Sequence, residues 1–250
     1  MRPLPAILLA VIAAGCGSTG NLERPQIDIG VFDPDGEGAE PLRGPGVGIE
    51  KGSGAPRVTE EDILRALVEA PGLAGPPRVA VVEIRRCGEG FAAESLTPEE
   101  LEAFRKETGS SVESARVVPR MFLPPRADLP SVRYAAARVG CDSVLVFGRG
   151  ENSDTYFNEW SNLNWFILPI FVIPGKTVEV YAAAEGALID VRTGRVRAVA
   201  TADARVDADI ITSSSSERTL LELKREAALE SMSGLGKSLA KELAALREDK

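Results

Sequence analysis

The stretch VEVYAAAEGALIDVRTGRVRAVATADARVDADI, residues 178–210, decides the fold. Val178 to Ile189 and Arg195 to Ile210 are two long runs rich in β-branched and small apolar residues. Between them stands Asp190-Val191-Arg192-Thr193-Gly194, a cluster of turn formers, so the stretch reads as a β-hairpin. In its second arm Ala204, Val206, Ala208 and Ile210 alternate with Asp203, Arg205, Asp207 and Asp209. Side chains on a strand alternate between faces, so one face of this arm is apolar and the other is expected in water.

Working outward on the N-terminal side, Asp142-Ser143-Val144-Leu145-Val146-Phe147-Gly148 is apolar without alternation, the pattern of a central strand covered on both faces. A helix is expected from Leu129 to Val139, stopped by Gly140. Before it, Ala115 to Leu123 reads as a strand, and Pro119 places that strand at a sheet edge. Thr97-Pro98-Glu99-Glu100 supplies a cap, a first-turn proline and an acidic third position, opening a helix that runs to about Lys106. Arg78 to Ile84 (RVAVVEI) is a further strand. Thr59 caps a helix whose apolar face is Ile63, Leu64, Leu67 and Val68.

On the C-terminal side a long helix is expected from about Ser214 to Arg247. Ser214 and Glu217 would form its capping box, and Leu221, Ala228, Met232, Leu235, Leu239, Leu243 and Leu246 its buried stripe. Helices between strands, then a hairpin, then a packing helix give an α/β (α+β) fold class, a mixed sheet in one layer against helices.

The N-terminus carries different information. Met1-Arg2 is positive, Leu4 to Ala14 is apolar, and Ile12-Ala13-Ala14-Gly15 leads into Cys16. An apolar run of this length falls short of the about 20 residues of a membrane span and has the form of a signal peptide, residues 1–15. The Cys16 context resembles the bacterial lipobox, in which the cysteine thiol receives a diacylglycerol. That resemblance implies a palmitate-bearing anchor at Cys16. Ala13 departs from it, since leucine is usual three residues before the cysteine. Gly17 in place of aspartate implies, by likeness to sorted lipoproteins, the periplasmic face of the outer membrane. Residues 16–57 are rich in Gly and Pro, with ten Gly and five Pro between Gly17 and Arg57, and are expected to be a disordered tether reaching on the order of 35 Å. Residues 58–250 are expected to form a single periplasmic α/β domain.

Two further motifs resemble known families. Tyr134 to Gly148 (YAAARVGCDSVLVFG) and Leu188 to Val196 (LIDVRTGRV) resemble a helix–Gly–strand unit and a hairpin turn of the TolB N-terminal domain and the curli-secretion lipoproteins. A closer likeness is to the rhombotarget lipoproteins, although this sequence closes on a polar segment rather than their sorting signal. The resemblance covers roughly Arg78 to Asp209. It implies an envelope role in assembly, secretion or scaffolding and transfers no active site.

Candidate chemistry is sparse. With no histidine among 250 residues, the Ser-His-Asp and Cys-His triads and His-ligated metals are excluded. A net charge of −8 argues against a nucleic-acid partner. Ser233-Gly234-Leu235-Gly236-Lys237-Ser238 resembles the end of a phosphate loop, but position 231 is serine and a helix precedes it, so nucleotide binding is rejected in favour of a small-residue notch. The carboxylates at Asp203, Asp207 and Asp209 stand about 7 Å apart or more and read as a solvated face rather than a cation site. Cys87 and Cys141 are expected to be unpaired, with Cys141 buried.

Trp160 to Ile173 (WSNLNWFILPIFVI) is the segment that invites a surface role. Trp160, Trp165, Phe166, Ile167, Leu168, Ile170 and Phe171 could contact a membrane or a partner, or the segment could fold back as core. The expected function is a non-enzymatic, membrane-anchored binding or scaffold component of the cell envelope, without cofactor or metal, with a protein partner or self-association. The alternative is a subunit of an oligomeric outer-membrane secretion or assembly pore. Pro169 interrupts the segment and counts against its spanning as β-strand.

Overall fold

The computed structural model describes residues 22–25, 58–68, 76–87, 90–94, 96–124, 127–157, 174–211 and 216–248. The elements, in chain order, are α1 (Glu60–Val68), β1 (Arg78–Cys87), β2 (Gly90–Glu94), α2 (Pro98–Thr108), β3 (Ser114–Val117), α3 (Leu129–Arg138), β4 (Ser143–Phe157), β5 (Pro174–Asp190), β6 (Val196–Ile211) and α4 (Ser216–Glu248). The strands form one mixed sheet of order β2-β1-β4-β5-β6. β1 pairs in parallel with β4, from Val79↔Ser143 to Glu83↔Phe147. Along its other edge β1 pairs in parallel with β3 over its first half and antiparallel with β2 over its second. The mixed α/β class read from the sequence is the class observed.

Two compact units divide these elements: Met1–Pro25, Gly150–Ala183 and Asp203–Glu230 make unit 1, and Gln26–Arg149, Ala184–Ala202 and Ser231–Lys250 make unit 2. In unit 2 the alternation of β1 sorts its side chains onto opposite faces. Val79 and Val81 pack with Leu145 and Phe147 of β4, Leu101 and Phe104 of α2, and Met232, Leu235, Leu239 and Leu243 of α4. Ala80, Val82 and Ile84 pack the other way, with Val144 and Val146 of β4, Ile63 and Leu67 of α1, and Val132, Ala135 and Ala136 of α3. Helices therefore cover both faces of this part of the sheet, where the sequence suggested one layer against helices. In unit 1, Val178, Val180 and Ala182 of β5 join Ala204 and Ile210 of β6 under Leu223 and Ala227 of α4.

Local chemistry sets the element ends. Thr97 caps α2, accepting from the Glu100 amide at 3.2 Å while the Glu100 carboxylate accepts from the Thr97 amide at 2.8 Å. Asp128 and Ser131 do the same for α3. α3 stops at Gly140, whose φ of 77° is costly for a residue with a Cβ. In the hairpin turn Asp190 accepts from the Thr193 amide at 2.8 Å, and Gly194 takes φ 72°. Arg133, buried on α3, fixes this turn: it donates to the carbonyls of Val191 at 2.9 Å and Arg192 at 3.0 Å, and it forks onto the Glu60 carboxylate of α1.

Several expectations need correction. Leu64 and Val68 of α1 are exposed, so only Ile63 and Leu67 of the expected face are buried. The strand expected over Ala115 to Leu123 ends at Val117. A single 3₁₀ turn, Arg120–Phe122, follows Pro119, which has no amide to offer a ladder. β2 has no counterpart in the sequence reading, because Gly90, Ala92 and Ala93 carry little β propensity. Leu221 and Leu246 lie on the exposed side of α4, while Leu223 and Ala227 are buried in its first turns. Ser214 lies outside the described residues.

The glycines of α4 mark where the helix comes closest to its neighbours in unit 2. A Cβ on Gly234 would stand 2.9 Å from the Ala202 Cβ, and one on Gly236 would stand 2.9 Å from the Phe104 carbonyl oxygen. The Gly-Leu-Gly-Lys-Ser stretch is thus helix interior shaped for close packing. Gly236→Ala is expected to destabilise the protein by about 1–3 kcal/mol in urea denaturation, because the clash is with backbone. Helix propensity alone would give the opposite sign, a gain of about 1 kcal/mol.

Candidate functional site

The residues singled out from sequence as sites, Cys16, Trp160, Trp165, Phe166, Ile167, Leu168, Ile170 and Phe171, lie outside the described residues. The described residues hold a set of charged clusters and one docked segment.

The first cluster is in unit 2. Val79, Val81 and Glu83 share one face of β1, so Glu83 is carried into the layer between the sheet and α2, where it is buried. A buried carboxylate must be paired. Arg149, two residues beyond Phe147 on β4, supplies the cation: its guanidinium reaches Glu83 at 2.6 Å and Glu100 at 2.5 Å. Glu100 thereby does two jobs, closing the capping box of α2 and accepting from Arg149. Burial pushes the Glu83 carboxyl up, with Arg149 only partly offsetting it. Burial also pushes Glu100 up, but the Thr97 amide and Arg149 outweigh it and hold that carboxyl below its ordinary value. Opposed shifts on two carboxyls can mark an acid–base pair. Here both oxygens of each group are held by one guanidinium and a helix cap, so the cluster ties β1, β4 and α2 together.

In unit 1 the charged face of β6 is where the alternation placed it. Asp203, Arg205, Asp207 and Asp209 are exposed, and Asp203, Arg205 and Asp209 each have a partner. Arg205 pairs with Glu179 of β5, and Asp209 accepts from the Thr177 hydroxyl at 2.5 Å. Glu179 is itself only 2% exposed, and its Oε2 has no hydrogen-bond partner among the described residues. The Tyr156 hydroxyl of β4 is pushed up, first by burial and then by the Glu179 and Asp207 carboxylates. Among the described residues, no three carboxylate or thiol groups converge on a cation.

The docked segment is the least expected feature. Residues 22–25 belong to the stretch read as a tether, and they lie against unit 1. Pro25 is buried and Leu22 half-buried. The Glu23 carbonyl accepts from the Asn152 side chain of β4 at 2.9 Å, and the Arg24 guanidinium meets Asp203 of β6 at 2.9 Å. The ion pair is half-exposed and worth at most about 1 kcal/mol, so the buried proline and the amide bond carry a comparable share of the attachment.

Two remaining features are engaged in structure. Cys141 is free and buried, and burial raises its thiol to about 11, far from a reactive thiolate. An open groove of about 290 Å³ runs beside Arg105, Gly109, Val112, Ser114 and Arg116. Its guanidiniums are bonded to carbonyls, Arg105 to Ala115 at 2.6 Å and Arg116 to Val139 at 2.9 Å.

Of these groups, the β6 row, the Thr97–Glu100 cap and the buried Cys141 were visible beforehand. An acid inside the apolar run RVAVVEI was a signal for Glu83 that could have been read. Nothing in the sequence links Arg24 to Asp203, which are 179 positions apart.

Arg149→Met should cost about 3–5 kcal/mol at pH 7, because it leaves two buried carboxylates without their cation. The raised Glu83 binds its proton more tightly folded than unfolded, so protonation as pH falls towards its ordinary 4.5 favours the folded state. The deficit of the variant is therefore expected to shrink between pH 7 and pH 5. The parent protein loses the Glu100 contribution only as pH falls below 4.5, through the depressed folded value. Urea denaturation of both proteins at pH 7, 5 and 4 reads these slopes.

No protein-family model matches the sequence, and no curated protein matches it. Among solved structures it is similar to a PelC dodecamer from Paraburkholderia phytofirmans at 19% identity, covering 67% of this chain and 94% of that one, with a TM-score of 0.32. It is similar to a lipoprotein from Neisseria meningitidis at 18% identity, 60% and 94% coverage, and a TM-score of 0.30. The LpoB C-terminal domain from Salmonella enterica matches at 14% identity, 58% and 93% coverage, and a TM-score of 0.29. Superpositions this loose carry no inference about function.

Proposed function

We propose that the chain is a lipid-anchored bacterial envelope lipoprotein, held at the periplasmic face of the outer membrane, whose α/β domain binds or scaffolds other envelope components without catalysing a reaction. One observation carries the reading: Cys16 directly follows the small residues that close an apolar run of signal-peptide length. Among the described residues no helix is long and apolar enough to cross a membrane, so in this reading attachment falls to the lipid.

The non-enzymatic part rests on how the charged groups are used. Glu83, Glu100 and Arg149 satisfy one another, and Arg133 is committed to the hairpin turn and to Glu60. Each is a tie between elements. Groups spent in this way are poor general acids or bases, which need a free position within reach of a substrate proton.

The test is direct. Expressed in a Gram-negative host, the parent protein should yield an N-terminal peptide that begins at Cys16 and carries the mass of a diacylglyceryl group, and it should fractionate with outer membranes. Cys16→Ser should lose both the added mass and the membrane fraction. An unmodified Cys16 would overturn the anchor, and turnover of an ester, peptide or glycan by the purified protein would overturn the non-enzymatic reading.

A further inference from the structure

The geometry points to the face of the unit 1 sheet turned away from α4 as a docking surface for an extended, basic segment of a partner protein, whose lysine or arginine meets Glu179. The inference rests on the reading of the domain as a binding module, names the chemistry of what it binds, and does not need the Cys16 anchor. Alternation assigns the face. Val178, Val180 and Ala182 of β5 and Ala204 and Ile210 of β6 pack under α4, so Thr177 and Glu179 of β5 and Asp203, Arg205, Asp207 and Asp209 of β6 point the other way. On β4, Glu151 meets Lys224 of α4, which turns Asn152 to the same side as Glu179.

Exposed aspartates on such a face are ordinarily left to water. Glu179 differs from them: it is buried, Arg205 takes one of its oxygens, and Oε2 has no hydrogen-bond partner among the described residues. A buried carboxylate oxygen without a donor is costly, and a guanidinium or ammonium is the donor that offsets both its desolvation and the surplus of negative charge around it. Room for that group is made by Arg205, whose long side chain is 59% exposed and can turn outward. The chain itself shows how a peptide sits on this face. Residues 22–25 cross it from β4 to β6, the Glu23 carbonyl accepting from Asn152 and the Arg24 guanidinium meeting Asp203. Arg24 reaches no further than that end, because Asp207 lies four residues, about 13 Å, along β6 from Asp203. The Glu179 end is left to a second basic group. With a net charge of −8, another copy of this chain is a poor source of one, so the occupant is a segment of a different, basic protein.

The test titrates the full chain into a fluorescein-labelled peptide of alternating threonine and arginine with blocked ends, read by fluorescence anisotropy in about 0.15 M salt, where distant surface charges are screened. The parent protein should bind this peptide and not its counterpart with glutamate in place of arginine. Glu179→Gln should weaken binding about 10-fold, the worth of one charged hydrogen bond. Asp207→Asn, exposed on the same face, should weaken it about 3-fold and carries the test if the Glu179 variant does not fold. Glu222→Gln makes the same change of net charge on the exposed side of α4 and should leave the affinity within twofold. No binding by the parent, affinities unmoved in the Glu179 and Asp207 variants, or an equal loss in Glu222→Gln overturns the proposal. Turnover of a substrate by the purified protein would overturn the non-enzymatic reading and leave this titration to be read on its own.

Discussion

Burial of β1 on both faces is the constraint from which the rest of unit 2 follows. A strand with water on one side can place every polar residue outward, but β1 has α2 and α4 on one side and α1 and α3 on the other. Its parallel pairing with β4 gives both strands the same demand, which small and β-branched side chains meet. Glu83 is the exception, and its position on the odd-numbered face points it at α2, where it is buried. The answer is a guanidinium from the neighbouring strand and a second carboxylate from the helix cap. The helix-capping box and the buried ion cluster are thus one structure, because Glu100 closes the box and accepts from the Arg149 that also holds Glu83 of β1.

A second tie operates at the opposite end of β1's neighbours. Asp142 accepts from the Arg78 amide, and its own carbonyl accepts from the Val191 amide, joining the starts of β1 and β4 to the end of β5. Arg133 closes the same region by gripping the carbonyls of the hairpin turn. The absence of a side chain at Gly194 lets the Arg133 guanidinium lie within 3.2 Å of where a Cβ would be. Polar groups in this fold are used to splice elements whose apolar faces alone would tolerate sliding. That use explains why the charged clusters that first look like chemistry read as architecture once their partners are known.

Much of the secondary structure was legible because its causes are local. Thr97 and Glu100, or Asp128 followed by a helical apolar pattern, announce helix starts through hydrogen bonds that span three residues. Gly140 and Gly194 mark positive φ, and the strict alternation from Asp203 to Ile210 assigns each side chain of β6 to a face. The misreadings arose where the deciding partner is distant. Leu64, Val68, Leu221 and Leu246 have the right spacing for a buried stripe, but periodicity fixes only a direction around the helix, and what lies in that direction is a tertiary matter. β2 escaped notice because a five-residue strand with Gly90, Ala92 and Ala93 owes its existence to pairing with β1 rather than to its own propensity.

By itself, then, the sequence determined the class of fold, the caps, the hairpin and the solvated face of β6, since each depends on covalent geometry and on neighbours a few residues away. It also displays the apolar run and small residues before Cys16 on which the proposed anchor rests, a pattern that needs no fold to be read. Only the tertiary structure decided that helices cover both faces of β1, that Arg149 joins Glu83 to Glu100, and that Arg24 and Glu23 settle on β6 and β4. These contacts link residues 49 to 179 positions apart. Their free energy comes from burial and from low-dielectric pairing, neither of which exists until the chain has folded.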